Sequence, residues 1–266
     1  PCAHQGKTPP CSQLILKESI PQVVVACRDP FPAVNGKGLE QLTAAGVEVK
    51  LGVLEKQARQ LNAGFFHFHE KNLPLVTLKW ASSADGFMAE LGKTRTMISD
   101  GLAQAFVHRL RANHMAILVG FNTALYDNPL LTNRSGKGKN PLRIVVDPKG
   151  ELPADLQVFQ GAQPAWRFQP RTKDWVPELL HILAKKGIQS ILVEGGKETL
   201  DTFLAAQAWD RLIQVQNTQR VLGQGLAAPQ VPGDPPHAQV DLGADRVHTW
   251  VKQEVLALPD HFYSPA

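Results

Sequence analysis

The sequence lacks several features that would assign it to a protein class at once. No apolar run approaches the roughly 18 residues that a membrane-spanning helix needs, and no charged segment followed by an apolar stretch stands at the start, as it would in a secretory signal. There are only three cysteines, too few for a disulfide framework, and their odd number favours a reducing compartment. We therefore expect a cytoplasmic protein.

The sequence also has little excess of one charge over the other. The 28 Lys and Arg residues exceed the 24 Asp and Glu residues by four, which is too small a surplus to indicate a nucleic-acid partner but is compatible with small phosphate esters. Two nucleotide-binding fingerprints, GxGxxG and GxxxxGK(S/T), are absent. A nicotinamide nucleotide would therefore bind here by the rules of a different fold.

Strand-like apolar runs alternate with helical patterns, which favours a mostly parallel sheet. Residues 54–70 carry apolar side chains at three- and four-residue steps and are predicted to form one amphipathic helix. The break at 71–74 (KNLP) predicts a boundary between domains 1–72 and 73–266. In the second domain we predict strands at 75–81, 115–119, 143–147, 190–194, 212–215 and 247–256, and helices at 101–113, 177–186 and 197–206.

Glycines follow two of the predicted strands, at the edge where α/β sheets bind ligands. Gly120 follows strand 115–119, and Gly195 and Gly196 lead from strand 190–194 into a helix. Glycine permits close backbone approach, and the free N–H groups of a helix N-terminus suit phosphate. Two such ends suffice to hold a dinucleotide, although a Gly-Gly pair is also typical of a plain strand-to-helix turn.

Polar residues share one face of the predicted helix 101–113. Gln104, His108 and Arg111 stand four and three residues apart, and Arg134 follows a turn further along. An arginine guanidinium matches phosphate bidentately, so this face is a candidate anion site. A solvated helix face with a surface arginine is the alternative.

Two cysteines, Cys2 and Cys11, lie in the stretch PCAHQGKTPPC. Zinc deaminases pair two such thiolates with a His or a third Cys, and a Glu moves protons. Two buried structural cysteines are the alternative. His67 and His69 point to different sides of a helix, and we interpret them as surface residues.

These motifs together resemble a known family. The segments 1–11, 29–32 (DPFP) and 36–38 (GKG) are similar to the second half of the deaminase domain in bifunctional riboflavin-biosynthesis deaminase–reductases. Five further segments are similar to the reductase domain of that family: 79–86 (KWASSADG), 116–120 (AILVG), 127–132 (DNPLLT), 141–147 (PLRIVVD) and 193–196 (VEGG). The order and spacing match over nearly the whole chain.

The resemblance implies an α/β fold, with a dihydrofolate-reductase-like reductase domain preceded by the C-terminal part of a cytidine-deaminase-like α/β/α domain. It implies reduction of the ribosyl side chain of 5-amino-6-(5-phosphoribosylamino)uracil to a ribityl chain with NADPH. The complete protein would also deaminate the pyrimidine precursor with zinc. A homo-oligomer (dimer or tetramer) is implied, and neither nucleic acid nor a membrane is expected as a partner.

The same resemblance implies roles for individual residues. Lys79 and Asp127 would be catalytic, polarising the reacting end of the substrate. The implied substrate-binding residues are Arg95, Arg111, Leu131, Arg134 and Glu194. The implied NADPH-binding residues are Ala81, Ser83, Met97, Thr123, Asp127, Gly195, Gly196, Lys197 and Thr199, and the implied zinc ligands are Cys2 and Cys11.

Two departures from the family pattern matter. Met97 stands where the family often has Trp, and a methionine can fill the same space. A His-Ala-Glu element would have to precede Pro1, so we expect a piece of a longer bifunctional protein that is inactive as a deaminase by itself. The alternatives are a related reductase acting on another phosphorylated sugar-amine and a non-catalytic nucleotide-binding protein.

Overall fold

The computed structural model describes residues 1–263 except 7, 33, 93–95, 100, 135, 137, 232, 234 and 254–255. Arg95 therefore lies outside the described residues. The chain divides into two compact units, Pro1–Asn72 and Leu73–Ala266. No helix in the described part of the chain is both long and apolar enough to cross a membrane.

The first unit is a small α/β arrangement whose two strands run parallel. Its elements are α1 (Cys11–Lys17), β1 (Gln22–Val25), α2 (Lys37–Ala44), β2 (Glu48–Leu51), α3 (Glu55–Leu61) and α4 (Ala63–Lys71). The prediction of one helix over 54–70 was wrong, because the backbone leaves helical geometry at Asn62 (φ −113°, ψ 28°). The side-chain amide of Asn62 donates to the Ala58 carbonyl over 3.0 Å, a local bond that competes with helix continuation.

The second unit is built on an eight-stranded sheet flanked by helices. Its elements are β3 (Leu75–Ser82), β4 (Phe87–Ala89), α5 (Gly101–Ala112), β5 (Ala116–Val119), α6 (Phe121–Asp127), β6 (Leu142–Val146), β7 (Trp166–Phe168), α7 (Trp175–Lys185), β8 (Ser190–Val193), α8 (Lys197–Ala205), β9 (Arg211–Asn217), β10 (Leu226–Ala227), β11 (Ala238–Leu242) and β12 (Asp245–Val251). The order in the sheet is β11-β12-β9-β3-β8-β5-β6-β7. Strands β9 to β7 are parallel, and β12 pairs with β9 in the antiparallel sense.

The central strands of this sheet are covered by helices on both faces. All four residues of β5 and of β8 are buried, as strands with helices on both sides require. One face packs against Phe106 and Leu110 of α5, and the other against Leu183 of α7 and Phe203 of α8. The mostly parallel sheet is confirmed. The last predicted strand was too long, because β12 ends at Val251.

The sheet order determines where a ligand binds. Strand β8 lies between β3 and β5, so the carboxyl ends of these three parallel strands meet at one edge. That edge is where open α/β sheets place their ligands. The short ribbon formed by β4 and β10 is separate from the large sheet.

Candidate active site

Two adjoining cavities open at the carboxyl ends of β3, β5 and β8. The first, which we call the polar cleft, has a volume of about 270 Å³ and is lined by residues of β3, α5, the loop after α6 and the segment 194–196. The second, which we call the helix-end cavity, has a volume of about 600 Å³ and lies along the starts of α6 and α8. The residues lining both are Ala89, Thr123, Asp127, Gly196 and Leu226.

A buried charge network forms the inner end of the polar cleft. The Nε and Nη2 atoms of Arg111 each donate to one carboxylate oxygen of Glu194 over 2.9 Å. The Nζ atom of Lys79 lies 3.9 Å from the same carboxylate. Only 9–14% of each of these three side chains is exposed. Two buried cations thus share a single buried anion.

This arrangement shifts the pKa values of all three groups. Burial by itself would raise the pKa of Glu194, but the charges of Arg111 and Lys79 outweigh burial and lower it to about 2. Burial lowers the pKa of Lys79, against the attraction of Glu194 and with the help of Arg111. Glu194 is therefore a permanent carboxylate, and Lys79 releases its proton more readily than an exposed lysine.

The outer end of the polar cleft carries His108 and Arg134. The backbone N–H of Arg134 donates to Nδ1 of His108 over 3.3 Å, and the Nε atom of Arg134 lies 3.3 Å from Nε2 of the same ring. Burial, and then the charges of Arg111 and Arg134, lower the pKa of His108, so the ring is neutral at pH 7. No ion pair found in the described part of the chain involves Arg134.

The loop that carries Arg134 has an unusual backbone. Asn128 (φ 41°) and Leu131 (φ 55°) both adopt left-handed conformations, and the Leu131 side chain is buried in the core. A left-handed leucine is uncommon and persists only where its surroundings fix it. The Thr132 carbonyl accepts a further bond, of 3.3 Å, from Arg111 Nη1. The loop is thus joined to the charge network.

Glycines let the starts of α6 and α8 approach each other at the helix-end cavity. A Cβ atom at Gly195 would lie 2.7 Å from the Cβ atom of Thr199, and one at Gly120 would overlap the Thr199 hydroxyl. A larger residue at position 195 would require a shift at the start of α8, and one at position 120 would require the Thr199 hydroxyl to move. The first N–H groups of a helix have no partner inside the helix and attract anions. This geometry suits the phosphates of a nucleotide.

Sequence reasoning missed the residue that supports the wall around Met97. The guanidinium of Arg220 donates to the Met97 carbonyl and lies 3.4 Å from the Glu90 carboxylate. The Thr96 hydroxyl accepts the Glu90 N–H over 3.0 Å. Nothing in the local sequence around Arg220 indicates this role, because its partners are more than a hundred residues away.

Asp85 and Ser83, both in the segment 79–86, maintain a turn instead of lining a cavity. Asp85 accepts the Ser83 hydroxyl over 2.6 Å and the N–H groups of Leu222 and Gly223 over 3.1 and 2.7 Å. Ser83 is fully buried and also accepts the Phe87 N–H. The bonds of Asp85 join the turn after β3 to the segment that follows Arg220.

The structure brings most of the predicted site residues together. Ser83 lines neither cavity, and Arg95 lies outside the described residues. The polar cleft is lined by Lys79, Ala81, Met97, Arg111, Thr123, Asp127, Leu131, Arg134, Glu194, Gly195 and Gly196, and the helix-end cavity adds Lys197 and Thr199.

The two predicted zinc ligands are close together in the first unit. The sulfur atoms of Cys2 and Cys11 are 3.7 Å apart. The Cys11 N–H donates to the Cys2 sulfur over 3.4 Å and lowers the pKa of the Cys2 thiol. Within the residues that the structure describes, no group of three or more His, Cys, Asp or Glu side chains is placed to hold a metal ion.

The chain is similar to known proteins over most of its length. Residues 74–251 match the family model of the RibD C-terminal domain. The riboflavin biosynthesis protein RibD of Bacillus amyloliquefaciens is 41% identical over 237 residues, which cover 80% of this chain and 64% of that protein. The RibD protein of Aquifex aeolicus is 36% identical over 247 residues, covering 85% of this chain and 69% of that protein. The chain therefore spans about two thirds of the length of these relatives.

A solved structure shows the same fold. The diaminohydroxyphosphoribosylaminopyrimidine deaminase/5-amino-6-(5-phosphoribosylamino)uracil reductase of Thermotoga maritima matches with a TM-score of 0.81 at 32% identity, over 94% of this chain and 76% of that one. The expected α/β fold with a reductase domain is confirmed. Since the family model matches well over half of the chain, and its residues include both cavities, this chain belongs to the RibD C-terminal domain family.

Proposed function

We propose that residues 73–266 form an NADPH-dependent reductase that converts the ribosyl side chain of 5-amino-6-(5-phosphoribosylamino)uracil to a ribityl chain. The observation that carries this proposal is the pair of adjoining cavities, one with a buried Lys–Glu–Arg network and one built on glycines at helix starts. The Thermotoga maritima relative is named for this reductase activity. The homo-oligomer and the cytoplasmic location stay predictions.

The helix-end cavity suits the cofactor. Gly195 and Gly196 leave room for close approach, and Lys197 and Thr199 stand at the start of α8 beside them. Backbone N–H groups at such a start bind phosphate oxygens. We assign these residues, with Thr123 and Asp127 at the boundary to the polar cleft, to NADPH. When bound, NADPH supplies the hydride for the reduction.

The polar cleft suits the reacting end of the substrate. The open-chain form of the sugar presents a C=N bond, and reduction adds a hydride to the carbon and a proton to the nitrogen. Two cations lie beside the buried carboxylate, and Lys79 is the one that can release a proton, since burial lowers its pKa. In this proposal Lys79 polarises or protonates the nitrogen. Asp127, at the boundary between the two cavities, helps to polarise the same end of the substrate. Glu194 holds Lys79 and Arg111 in place.

For the first unit we propose that Cys2 and Cys11 are two ligands of a zinc site. Their separation of 3.7 Å fits two thiolates on a tetrahedral zinc ion, which would lie about 3.8 Å apart with Zn–S bonds of about 2.3 Å. A catalytic zinc normally has three protein ligands. We therefore expect this chain alone to bind zinc weakly and to show no deamination. Stoichiometric, tight zinc together with deaminase turnover would contradict this proposal.

The reductase proposal is tested by supplying the chain with the phosphoribosylaminouracil and following the oxidation of NADPH, with NADH in a parallel reaction. We expect oxidation of NADPH, slower oxidation of NADH, and a ribityl product detected by mass spectrometry. NADPH binding without turnover would contradict the reductase and favour a binding protein. Turnover of only a different phosphorylated sugar-amine would correct the substrate.

A further inference from the structure

The segment 141–147 (PLRIVVD) is one of the motifs on which the resemblance rests, but the proposed function gives it no role. Its two charged side chains, Arg143 and Asp147, are both buried. They lie on the same side of β6 and its continuation, because side chains an even number of residues apart share one side of a strand. Neither lines the polar cleft or the helix-end cavity. Any effect that they have on the site is therefore exerted through other residues.

Arg143 connects two segments of the chain through their backbone carbonyls. Its Nη1 atom donates to the Leu130 carbonyl over 3.1 Å. Its Nη2 atom donates to the carbonyls of Gln163 and, over 3.4 Å, of Gln160. Burial lowers the pKa of Arg143, and among the described residues no carboxylate opposes this shift. The rigid fork of the guanidinium thus fixes the distance between position 130 and positions 160–163.

The carbonyl at Leu130 belongs to a loop that forms one wall of the polar cleft. Pro129, Leu131 and Arg134 of this loop line the cleft. The backbones of Asn128 and Leu131, on either side of the bonded carbonyl, are left-handed. Such conformations persist only where the surrounding structure holds them. The bond from Arg143 therefore reaches the loop where its backbone most needs support.

The segment 151–163 contacts the same loop at further points. The side-chain oxygen of Asn128 accepts the Gln157 N–H over 2.7 Å. The hydrophobic cluster that buries Leu131 also includes three residues of the segment, Leu152, Leu156 and Val158. The loop and the segment thus share a hydrogen bond and a buried cluster in addition to the guanidinium of Arg143.

The other charged residue of the motif, Asp147, fixes the start of this segment. Its carboxylate accepts the N–H groups of Glu151 and Leu152 over 3.1 and 3.2 Å, and it pairs with Arg167 over 3.0 Å. The Arg167 guanidinium also lies 4.2 Å from the centre of the Phe159 ring. Among the described residues, no bond joins Arg167 to the loop 128–134. Arg167 thus supports the segment alone.

We propose that Arg143 is a positioning residue, whose guanidinium holds the loop 128–134 against the segment 151–163. This bond keeps Leu131 and Arg134 on the wall of the cleft, and the inference rests on the proposed function, which assigns both residues to the substrate. Without the guanidinium, only a fraction of the chains holds the loop in the competent conformation. The apparent affinity for the substrate falls in proportion to that fraction.

The experiment compares Arg143→Ala with the matched control Arg167→Ala. Both variants remove a guanidinium that supports the segment 151–163, but only the first removes a bond to the loop. For Arg143→Ala we expect the KM of the phosphoribosylaminouracil to rise about tenfold, the factor associated with one hydrogen bond to a charged group. The kcat and the Kd of NADPH should change little. Arg167→Ala should unfold at lower urea concentration but keep the wild-type KM.

A second measurement follows substrate binding without turnover. The Kd of the phosphoribosylaminouracil is measured by calorimetry on the chain saturated with NADP⁺, which has no hydride to transfer. It should rise by the same factor as the KM in Arg143→Ala. Arg143→Lys keeps the charge but not the fork of donors, so its Kd should be intermediate. This variant also carries the test if the alanine variant does not fold.

Chemical rescue separates positioning from a general loss of structure. Methylguanidinium at millimolar concentration offers the missing donors and charge to the carbonyls, so it should lower the KM of Arg143→Ala towards the wild-type value. It should have no effect on Arg167→Ala. Methylurea has a similar shape but no charge and should restore less. If methylguanidinium lowers the KM no further than methylurea does, the role of the guanidinium is overturned.

The remaining outcomes distinguish the inference from the proposed function. A wild-type KM in a variant of Arg143 that still binds NADPH would overturn the inference alone. An equal rise of the KM in Arg167→Ala would also overturn it, because loss of support for the segment would then suffice. If the wild-type chain binds NADPH but not the phosphoribosylaminouracil, the proposed substrate and the inference are overturned together.

Discussion

The two ends of the polar cleft differ in how their charged groups are paired. At the inner end, Glu194 compensates two buried cations, Lys79 and Arg111, through contacts of 2.9 to 3.9 Å. At the outer end, the His108 ring lies 3.3 Å from the backbone nitrogen and from the Nε atom of Arg134. The charges of the inner end are thus compensated within the protein, whereas Arg134 at the outer end has no carboxylate partner among the described residues.

In the proposed function, this difference assigns chemistry to the inner end and recognition of the substrate to the outer end. Buried charges that already have partners need little reorganisation when a reaction begins, which is how preorganised sites stabilise developing charge. Exposed donors are hydrated in water and are available to an incoming anion. Substitutions at the inner end should therefore change turnover and stability, and substitutions at the outer end should change substrate affinity.

The largest effect is expected at Lys79. Lys79→Met removes the proton donor, so kcat for NADPH oxidation should fall by about 10²–10⁴-fold, the usual contribution of a general acid. NADPH affinity should change little. Lys185→Met, at an exposed position of α7, is the matched control. If Lys79→Met keeps wild-type kcat, the inner end is not the site of chemistry.

The next largest effect is expected at Glu194. Glu194→Gln leaves Lys79 and Arg111 buried without their counter-charge, and breaking such a network by removing one partner costs about 3–5 kcal/mol. The free energy of unfolding in urea measures the loss. Asp241→Asn removes an exposed carboxylate paired with Arg246 and should change stability too little to resolve. Equal, small changes in both variants would remove the contrast between buried and exposed pairs.

A smaller effect, on the substrate alone, is expected at Arg134. Arg134→Ala should weaken substrate binding by about 10- to 150-fold, corresponding to the ~1.5–3 kcal/mol of a hydrogen bond to a charged group. NADPH binding should stay near normal, because Arg134 does not line the helix-end cavity. Arg171→Ala, at an exposed position outside both cavities, serves as the control. A loss of the same size for both ligands would refute the phosphate role.

The smallest effect concerns a buried histidine just beyond α5. His114 bonds to the Leu110 carbonyl and the Thr77 hydroxyl, and burial lowers its pKa from 6.5 to about 4. Between these values the unfolded chain takes up a proton that the folded chain refuses, so stability falls as the pH falls. The contribution of His114 to the loss from pH 7 to pH 5 should be about 2 kcal/mol.

This pH dependence is checked by urea unfolding of the wild-type chain and of His114→Asn at both pH values. The variant should be less stable at pH 7 but should lose about 2 kcal/mol less on acidification. Glu194 does not interfere, because its stabilising contribution is lost only below pH 4.5, as the pH falls towards its folded pKa of about 2. Parallel pH profiles would show that His114 is not the titrating group.

Periodicity and motif spacing predicted a large part of this molecule. The buried strands were found because continuous apolar runs such as 116–119 are what a doubly covered strand requires. Helix α6 was missed, because its seven residues directly follow a strand and end at a left-handed asparagine, leaving no room for a periodic pattern. The strands β4, β7, β10 and β11 were missed as well. The first three of these are only two or three residues long, which is too short for a periodic pattern.

The site was predicted as a set of residues but not as a set of contacts. The resemblance implied roles for Arg111 and Glu194, but the bidentate pair joins positions 83 residues apart, and a single sequence contains no measure of such a distance. The substrate-binding role of Arg111 stays a prediction, and the structure adds that its guanidinium donates to Glu194 and to the Thr132 carbonyl. Likewise, Asp85 belongs to a characteristic motif, yet its bonds support a turn.

The wall that the two cavities share has a consequence for how one bound ligand affects the affinity for the other. Thr123, Asp127 and Gly196 border both cavities, as do Ala89 and Leu226, so a change in this wall on binding one ligand also changes the lining of the other cavity. Thermodynamic linkage then requires symmetry: the factor by which NADPH changes the Kd of the sugar phosphate equals the factor by which the sugar phosphate changes the Kd of NADPH. One coupling free energy, measured from either side, describes how the two cavities communicate.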